Sequence, residues 1–479
     1  VNKRALIAAV LTAVLTLSCG VGEPEGEPRY VILFISDGWS YEHLEAARSY
    51  TGEEPVYADW LTYAMSTWDT DTRRANGGVG YDPERAWADF GYTIRAATDS
   101  AAAATAMYTG FKADSGNICT GPADLVRLAG VRDYAEVMGL ASGAVTSVYV
   151  SHATPGAWYA HNDDRTNGYA LFDEGVWGRP GSTGSGEGYG GGRGGSCGLP
   201  EVLIGGGHPG WNADYVLASQ RDALAADCAN HGGWRLVERL AGSPDGGERL
   251  LAAARNPRTE RLFGLFGGED GCLDYALADF SGVNPENPTL AECTEAALCV
   301  LSRNPRGFVL LVEGGAVDWA SHAGDMDRML GEQRDFDAAV RITSDWVEDD
   351  ANPSSWGNTL VVVTGDHECG CLTAGPGIFK GEPLGEVSGR TLALERPYDP
   401  TGLRASWEDV DADGVVDPDE EVYWAWNSHG HTNALVPLYV KGEWTRLFQG
   451  YVVAEDPVRG PYIDNTSLFL VLFGALMEE

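Results

Sequence analysis

Two short stretches of the chain set imidazoles near carboxylates at spacings that suit divalent cations, and a third adds another imidazole. Val312-Glu313-Gly314-Gly315-Ala316-Val317-Asp318-Trp319-Ala320-Ser321-His322 supplies Glu313, Asp318 and His322. Asp318 and His322 stand four apart, so on one helical turn they face the same way. Thr364-Gly365-Asp366-His367-Glu368 supplies an adjacent Asp and His, and Trp426-Asn427-Ser428-His429-Gly430-His431-Thr432 offers one more imidazole, from His429 or His431. With Asp37 these are the ingredients of a two-metal site. Taken singly, each has a plainer reading: an Asp-Gly after a strand is often a turn, and a lone His usually sits on a surface or in a core. Ser100 heads the run Asp99-Ser100-Ala101-Ala102-Ala103-Ala104. The alanines predict a helix starting at Asp99 or Ser100. A serine there faces unpaired backbone N–H groups, which suits an anion or an alkoxide. Taken alone, the segment favours an ordinary helix cap, since such caps are common. A serine hydroxyl is a poor nucleophile unaided, and no Ser-His-Asp arrangement presents itself.

Strands and helices must bring these residues together. Apolar runs at 30–36, 144–150, 201–204, 307–312, 359–364 and 434–440 are rich in Val, Ile and Leu without alternation. That pattern predicts buried strands of a parallel sheet covered on both faces. Helical patterns lie between them, as at 214–227 and 325–347. The expected architecture is α/β: a large, mainly parallel central sheet with helices on both faces and surface insertions. Sites in such sheets gather at the carboxyl ends of the strands, and Asp37, Glu313 and Asp366 each come directly after a predicted strand. Residues 175–198 form a glycine-rich insertion. No strand feeds it and no helix follows closely, so it is not a phosphate-cradling loop. Residues 375–426 have weaker periodicity and read as an excursion from the main domain.

The segment Asp99-Ser100-Ala101, then Thr105-Ala106 and Thr109-Gly110, resembles the phosphorylated-serine segment of alkaline phosphatases. The resemblance runs from about Tyr30 to Val440, as separate motifs in the family's order. The family usually has a β-branched residue two places before the Asp, where this chain has Ala97. The resemblance implies a hydrolase that converts phosphate monoesters to alcohol and inorganic phosphate through a phosphoserine at Ser100. It implies that Asp318, His322 and His431 hold one Zn²⁺. Asp37, Asp366 and His367 would hold a second, and Asp37, Thr154 and Glu313 a harder Mg²⁺. His431 is preferred to His429 because His-Thr before a Pro-containing strand is the family pattern. Arg165, thirteen residues after His152 in Ser151-His152-Ala153-Thr154-Pro155, would clamp the phosphate. His152 and Trp319 resemble the His/Trp variant of the site and would shape its Mg²⁺ side and phosphate release. A sulfatase is excluded, because Ser100 lacks the C/S-x-P-x-R context. A phosphodiesterase of the same superfamily and a catalytically silent, calcium-stabilised surface protein are the alternatives.

The spacing Asp409-x-Asp411-x-Asp413-Gly414-Val415-x-Asp417-x-x-Glu420 matches the twelve-position calcium loop D-x-D-x-D-G-x₅-E. The competing reading is an acidic turn in an acidic protein. The chain carries 70 Asp and Glu against 33 Lys and Arg, a formal charge of −37 over 479 residues. Such a surface repels nucleic acid and demands strong local positive charge for any phosphate ester. Lys3 and Arg4 before an apolar run to Leu17 predict a signal peptide over 1–18. Cys19 reads as a lipid-anchoring cysteine and 19–29 as its tether, with one domain over 30–479. The expected location is therefore periplasmic or at the cell surface. Export makes disulfides plausible for the remaining eight Cys, with no pairing assigned. Thiolate zinc ligation by Cys369 and Cys371 is the rival reading near His367. A homodimer is one assembly the sequence leaves open.

Overall fold

β1 (Arg29–Ser36) reads RYVILFIS and is buried from Tyr30 onward. Its alternate residues feed two different cores: Tyr30, Ile32 and Phe34 enter one, and Val31, Leu33 and Ile35 the other. A strand wet on one face cannot do this. Its neighbours β7 (Gly307–Gly314) and β8 (Thr359–Gly365) are likewise buried throughout. The computed structural model describes residues 28–478 apart from 96, 122–125, 179–197, 230–232, 274–275 and 378–379. The expected signal peptide, Cys19, most of the tether and most of the glycine-rich insertion lie outside these residues.

In chain order the remaining strands of the first half are β2 (Leu61–Ser66), β3 (Ala141–Tyr149), β4 (Val202–Gly206), β5 (Trp234–Glu238) and β6 (Arg261–Leu265). Beyond β8 come β9 (Glu368–Cys369), β10 (Leu372–Thr373), β11 (Glu395–Pro397), β12 (Arg404–Trp407), β13 (Val422–Trp426) and β14 (His431–Thr432). The last are β15 (Val436–Gly442), β16 (Val452–Asp456) and β17 (Gly460–Asp464). An 11-stranded sheet runs β16-β17-β2-β15-β8-β1-β7-β3-β4-β6-β5. From β8 to β5 every pairing is parallel, as the unalternating runs predict. β15 departs from that expectation: it is antiparallel to both β8 and β2. Within the 375–426 region, β11, β12 and β13 join β10 in a separate four-stranded antiparallel sheet. One face of the main sheet carries the helices Leu290–Leu301 and Met326–Glu348, and the other carries Ser100–Thr109, Ala153–Tyr159 and Asn465–Met477. The pattern at 214–227 forms the helix Ala218–Ala229. Among the described residues, no helix is long and apolar enough to cross a membrane.

Strand register positions the chemistry. Ser36 pairs with Gly314 on one side and Gly365 on the other. Asp37 and Asp366 therefore leave the sheet level with each other. Glu313 lies inside β7 rather than after it, because pairing with Ile35 and Thr146 extends the strand two residues past the predicted end. Gly38 turns the chain at φ +73°, and a Cβ there would lie 2.7 Å from Asp318 Cα. Only glycine fits both the left-handed backbone and the approach.

Gly38→Ala is expected to cost about 2–4 kcal/mol from left-handed strain plus overpacking. A lowered thermal midpoint would show it, and an unchanged midpoint would contradict this account of the turn.

Candidate active site

Ser100 is the first residue of the Ser100–Thr109 helix, and Asp99 is its cap, with Asp99 Oδ1 accepting from Ala102 N at 3.0 Å. The Ser100 hydroxyl is therefore not spent on capping. It lies 3.2 Å from His367 Nε2 and 3.4 Å from Asp37 Oδ1, in a buried position. This geometry favours the anion-site reading of the segment over the ordinary cap.

Asp37, Asp366 and His367 offer ligand atoms all within 4.8 Å of one another, and all three are buried. Asp366 is held by the backbone: its Oδ1 accepts from Gly38 N at 3.1 Å and from His367 N at 3.0 Å. A second group gathers Asp318, His322 and His431 together with Cys369. His322 Nε2 lies 3.3 Å from Asp318 Oδ2, and His431 Nε2 lies 3.4 Å from Asp318 Oδ1. His431 Nδ1 meets the Thr98 carbonyl at 2.8 Å, which turns Nε2 toward the group. The β9–β14 pairing sets His431 opposite Cys369. His429 is exposed and meets backbone carbonyls of His322 and Thr401 instead. Of the two imidazoles, His431 is the one that joins this group, as the family resemblance implied. The two groups adjoin, with the His367 and His431 rings stacked 3.6 Å apart.

A third group joins Asp37, Glu313 and His152. His152 Nδ1 lies 3.7 Å from Glu313 Oε1 and 4.0 Å from Asp37 Oδ2. The Thr146 hydroxyl donates to the other Glu313 oxygen. Thr154, two residues after His152 at the start of the Ala153–Tyr159 helix, keeps a buried hydroxyl. Arg165 reaches in from its loop. Its Nη1 donates to Asp99 Oδ2 at 2.8 Å, and its Nη2 stands 3.2 Å from His152 Nε2. Trp319 sits edge-on to His152, with ring centroids 5.9 Å apart.

The electrostatics of these groups call for cations. Burial, then the charges of Asp366, Asp318 and Glu313, push the Asp37 carboxyl well above its usual range. Burial, with Asp318 behind it, takes Asp366 up to about 7. Burial also holds His367 well below the usual imidazole range, and His431 reinforces it. Burial works against charge on His431 too, but the hydrogen bond and charge of Asp318 outweigh it and raise that imidazole to about 9. Asp37 Oδ2, Glu313 Oε1, Asp366 Oδ2, Thr154 Oγ1 and His152 Nδ1 are buried with no hydrogen-bond partner among the described residues. Unsatisfied buried polar atoms cost about 1–3 kcal/mol each, and more when charged. Cations among them would remove that cost, and the mixture of imidazole and carboxylate donors suits Zn²⁺ while the oxygen-richer third group suits Mg²⁺.

The family model described as alkaline phosphatase matches residues 28–457. The chain belongs to the alkaline phosphatase family. Alkaline phosphatase 4 of Bacillus subtilis is 25% identical over 469 residues, covering 91% of this chain and 88% of that protein. Streptomycin-6-phosphate phosphatase of Streptomyces griseus is 30% identical over 470 residues, covering 94% and 90%. Among solved structures, the cold-active alkaline phosphatase of a psychrophilic Shewanella sp. aligns with a TM-score of 0.62 at 22% identity, over 94% of this chain and 100% of that one. The enzyme of the Antarctic bacterium TAB5 aligns at 0.60 and 19%, over 94% and 98%. The α/β architecture is that of these alkaline phosphatases.

One contact escaped sequence reading. Asp99 anchors Arg165 while capping the Ser100 helix, a double use that only the pairing of 99 with 165 reveals. Cys369 stands among Asp318, His322 and His431 without the second thiolate pair that a structural zinc site would need. Cys119, Cys228, Cys293, Cys299, Cys369 and Cys371 are thiols. Disulfides were expected from export, but these six form none; Cys119, Cys293, Cys369 and Cys371 are buried. In the distant acidic loop, Asp409, Asp411 and Glu420 gather, as do Asp411, Asp413 and Asp417. Gly414 turns at φ +78°, Val415 N donates to Asp413 Oδ1 at 2.8 Å, and Arg396 Nη2 already meets Asp409 Oδ2 at 2.6 Å.

Chelation should lower the thermal midpoint of the purified protein, with Zn²⁺ and Mg²⁺ restoring it. A site filled at a hundredfold excess over its Kd is worth about 2.7 kcal/mol. A midpoint indifferent to chelator would contradict the cation account.

Proposed function

We propose that this chain hydrolyses phosphate monoesters to alcohol and inorganic phosphate, with Ser100 taking the phosphoryl group. The observation that carries the proposal is the Ser100 hydroxyl, uncommitted to capping and 3.2 Å from His367 Nε2 and 3.4 Å from Asp37 Oδ1. Asp318, His322 and His431 would hold one Zn²⁺, Asp37, Asp366 and His367 a second, and Asp37, Glu313 and Thr154 a Mg²⁺ beside His152. When bound, such cations supply Lewis acidity that favours the alkoxide form of serine and neutralises charge on the leaving oxygen. A solved mutant of the TAB5 enzyme has Mg bound in its M3 site, and the streptomycin-6-phosphate phosphatase of S. griseus is named for a monoester. Both support the reading.

In the first step a Ser100 Oγ–P bond forms, the P–O bond to the alcohol breaks, and the alcohol leaves with a proton. In the second, water adds to phosphorus and the Ser100 Oγ–P bond breaks. The helix N-terminus at Ser100 directs backbone N–H groups and its positive end at the phosphoryl oxygens. Arg165 presents a planar guanidinium for bidentate contact with the phosphate. Asp99 fixes one edge of that guanidinium, so little side-chain freedom is lost on binding. Trp319 and His152 flank the clamp and would shape phosphate release. Outside this site we read Asp409, Asp411, Asp413, Val415, Asp417 and Glu420 as a structural Ca²⁺ loop, on the twelve-position spacing. The leader supports export, with Cys19 as a lipid anchor.

Hydrolysis of p-nitrophenyl phosphate at alkaline pH should fall by about a thousandfold or more in Ser100→Ala, the scale of losing a nucleophile. A bis-p-nitrophenyl diester as the better substrate would overturn the monoesterase reading. Calorimetry should show Ca²⁺ binding that Asp409→Ala and Glu420→Ala abolish; unchanged binding in those proteins would sink the loop.

A further inference from the structure

A cleft of about 510 Å³ opens beside the active site, lined by Asn212, Tyr215, Glu269, Asp270, Trp319 and His322. His322 belongs to both the Asp318–His431 group and the cleft wall. In a phosphoryl transfer the entering and leaving oxygens stand roughly in line across phosphorus. Ser100 enters from beside Asp37 and His367, so the leaving oxygen emerges on the Asp318–His322–His431 side. The alcohol part of the ester therefore extends into this cleft.

The walls combine acidic groups with aromatic rings. Tyr215 stacks on Tyr149 at 4.0 Å and 14°, and Tyr149 in turn packs toward Trp319 at 6.0 Å. The turn bearing Glu269 and Asp270 is tied down through its backbone: Asn212 Nδ2 donates to the Glu269 carbonyl at 2.7 Å, and the Tyr215 hydroxyl to the Asp270 carbonyl at 3.4 Å. Gly271 seats the turn against Tyr215, where a Cβ would meet the ring at 2.3 Å. Both carboxylates are thereby held in an exposed position on a fixed backbone, and neither forms an ion pair with a described residue. Arg328 also lines the cleft, but Asp325 meets its Nε at 3.7 Å. The uncompensated charge facing the alcohol is negative, beside two aromatic rings. Carboxylates next to aromatic faces attract a cation. The chain's charge of −37 acts in the same sense, since it repels an anionic ester less when the alcohol carries positive charge.

We infer that the preferred substrates are phosphate monoesters of alcohols bearing a positive charge, such as a quaternary or primary ammonium, seated between Trp319 and the Glu269–Asp270 turn. This deepens the monoesterase reading and rests on it.

The test uses a matched pair: phosphocholine, and neohexyl phosphate, in which carbon replaces the quaternary nitrogen. For the wild-type protein kcat/KM should favour phosphocholine by roughly tenfold, the scale of a cation–π contact with surface charges added. In Glu269→Gln/Asp270→Asn the ratio should fall to about two- to fivefold, the part that a cation–π contact alone supplies. Using a ratio cancels any loss of folded protein. Calorimetric titration of Ser100→Ala with both esters should show the same preference without turnover. Equal kcat/KM values in the wild type would overturn the inference. So would a preference that the double substitution leaves undiminished and that disappears with added salt, which would assign it to the overall field. If neither ester nor p-nitrophenyl phosphate is hydrolysed, the monoesterase reading fails instead.

Discussion

Mutual repulsion among buried carboxylates is the constraint on which the rest of this structure depends. Asp37, Glu313, Asp318 and Asp366 are all buried around one serine. Two like charges 4 Å apart cost about 4 kcal/mol at an effective dielectric of 20. The sheet nevertheless drives them together, because parallel pairing levels Ser36, Gly314 and Gly365 and two apolar cores fix that pairing. A fold that spends so much on bringing anions together is arranged for cations. The unpartnered oxygens of Asp37, Glu313, Asp366 and Thr154 mark where they would sit.

Ser100 takes its character from the same arrangement. Asp99 performs the capping that Ser100 could have performed, and its second oxygen holds Arg165. One carboxylate thus frees the hydroxyl, directs the helix N-terminus and anchors the guanidinium. The acidic surface would otherwise repel a phosphate ester, so attraction has to be local. In the proposed reading the helix end and Arg165 would supply it at the serine.

Much of this was legible in the sequence, for physical reasons. Runs such as YVILFIS are short, rich in Val and Ile and unalternating, which favours strands buried on both faces, so β1, β7 and β8 were legible. β5, WRLVE, and β2, LTYAMS with Leu61 48% exposed, lack that signature; edge strands and mixed faces hide in ordinary composition. The direction of β15 was not legible either, because an apolar run does not encode its pairing sense. The preference for His431 over His429 came from the family pattern; its physical basis, β14 pairing with β9 across more than sixty residues, is not legible locally. Whether Ser100 itself caps its helix was not legible either; Asp99 Oδ1 does the capping and leaves the hydroxyl free of that task. Glu269 and Asp270 carried no signal at all, since two carboxylates in so acidic a chain look like surface until a cleft is seen beside them.

The central claim is that this carboxylate cluster is a cation site with Ser100 at its edge. Anomalous diffraction on either side of the zinc absorption edge tests it most directly, on crystals grown from protein loaded with Zn²⁺ and Mg²⁺. The account predicts two zinc peaks, one among Asp318, His322 and His431 and one among Asp37, Asp366 and His367, with none at Glu313 and Thr154. No peak within reach of the Ser100 hydroxyl would contradict it.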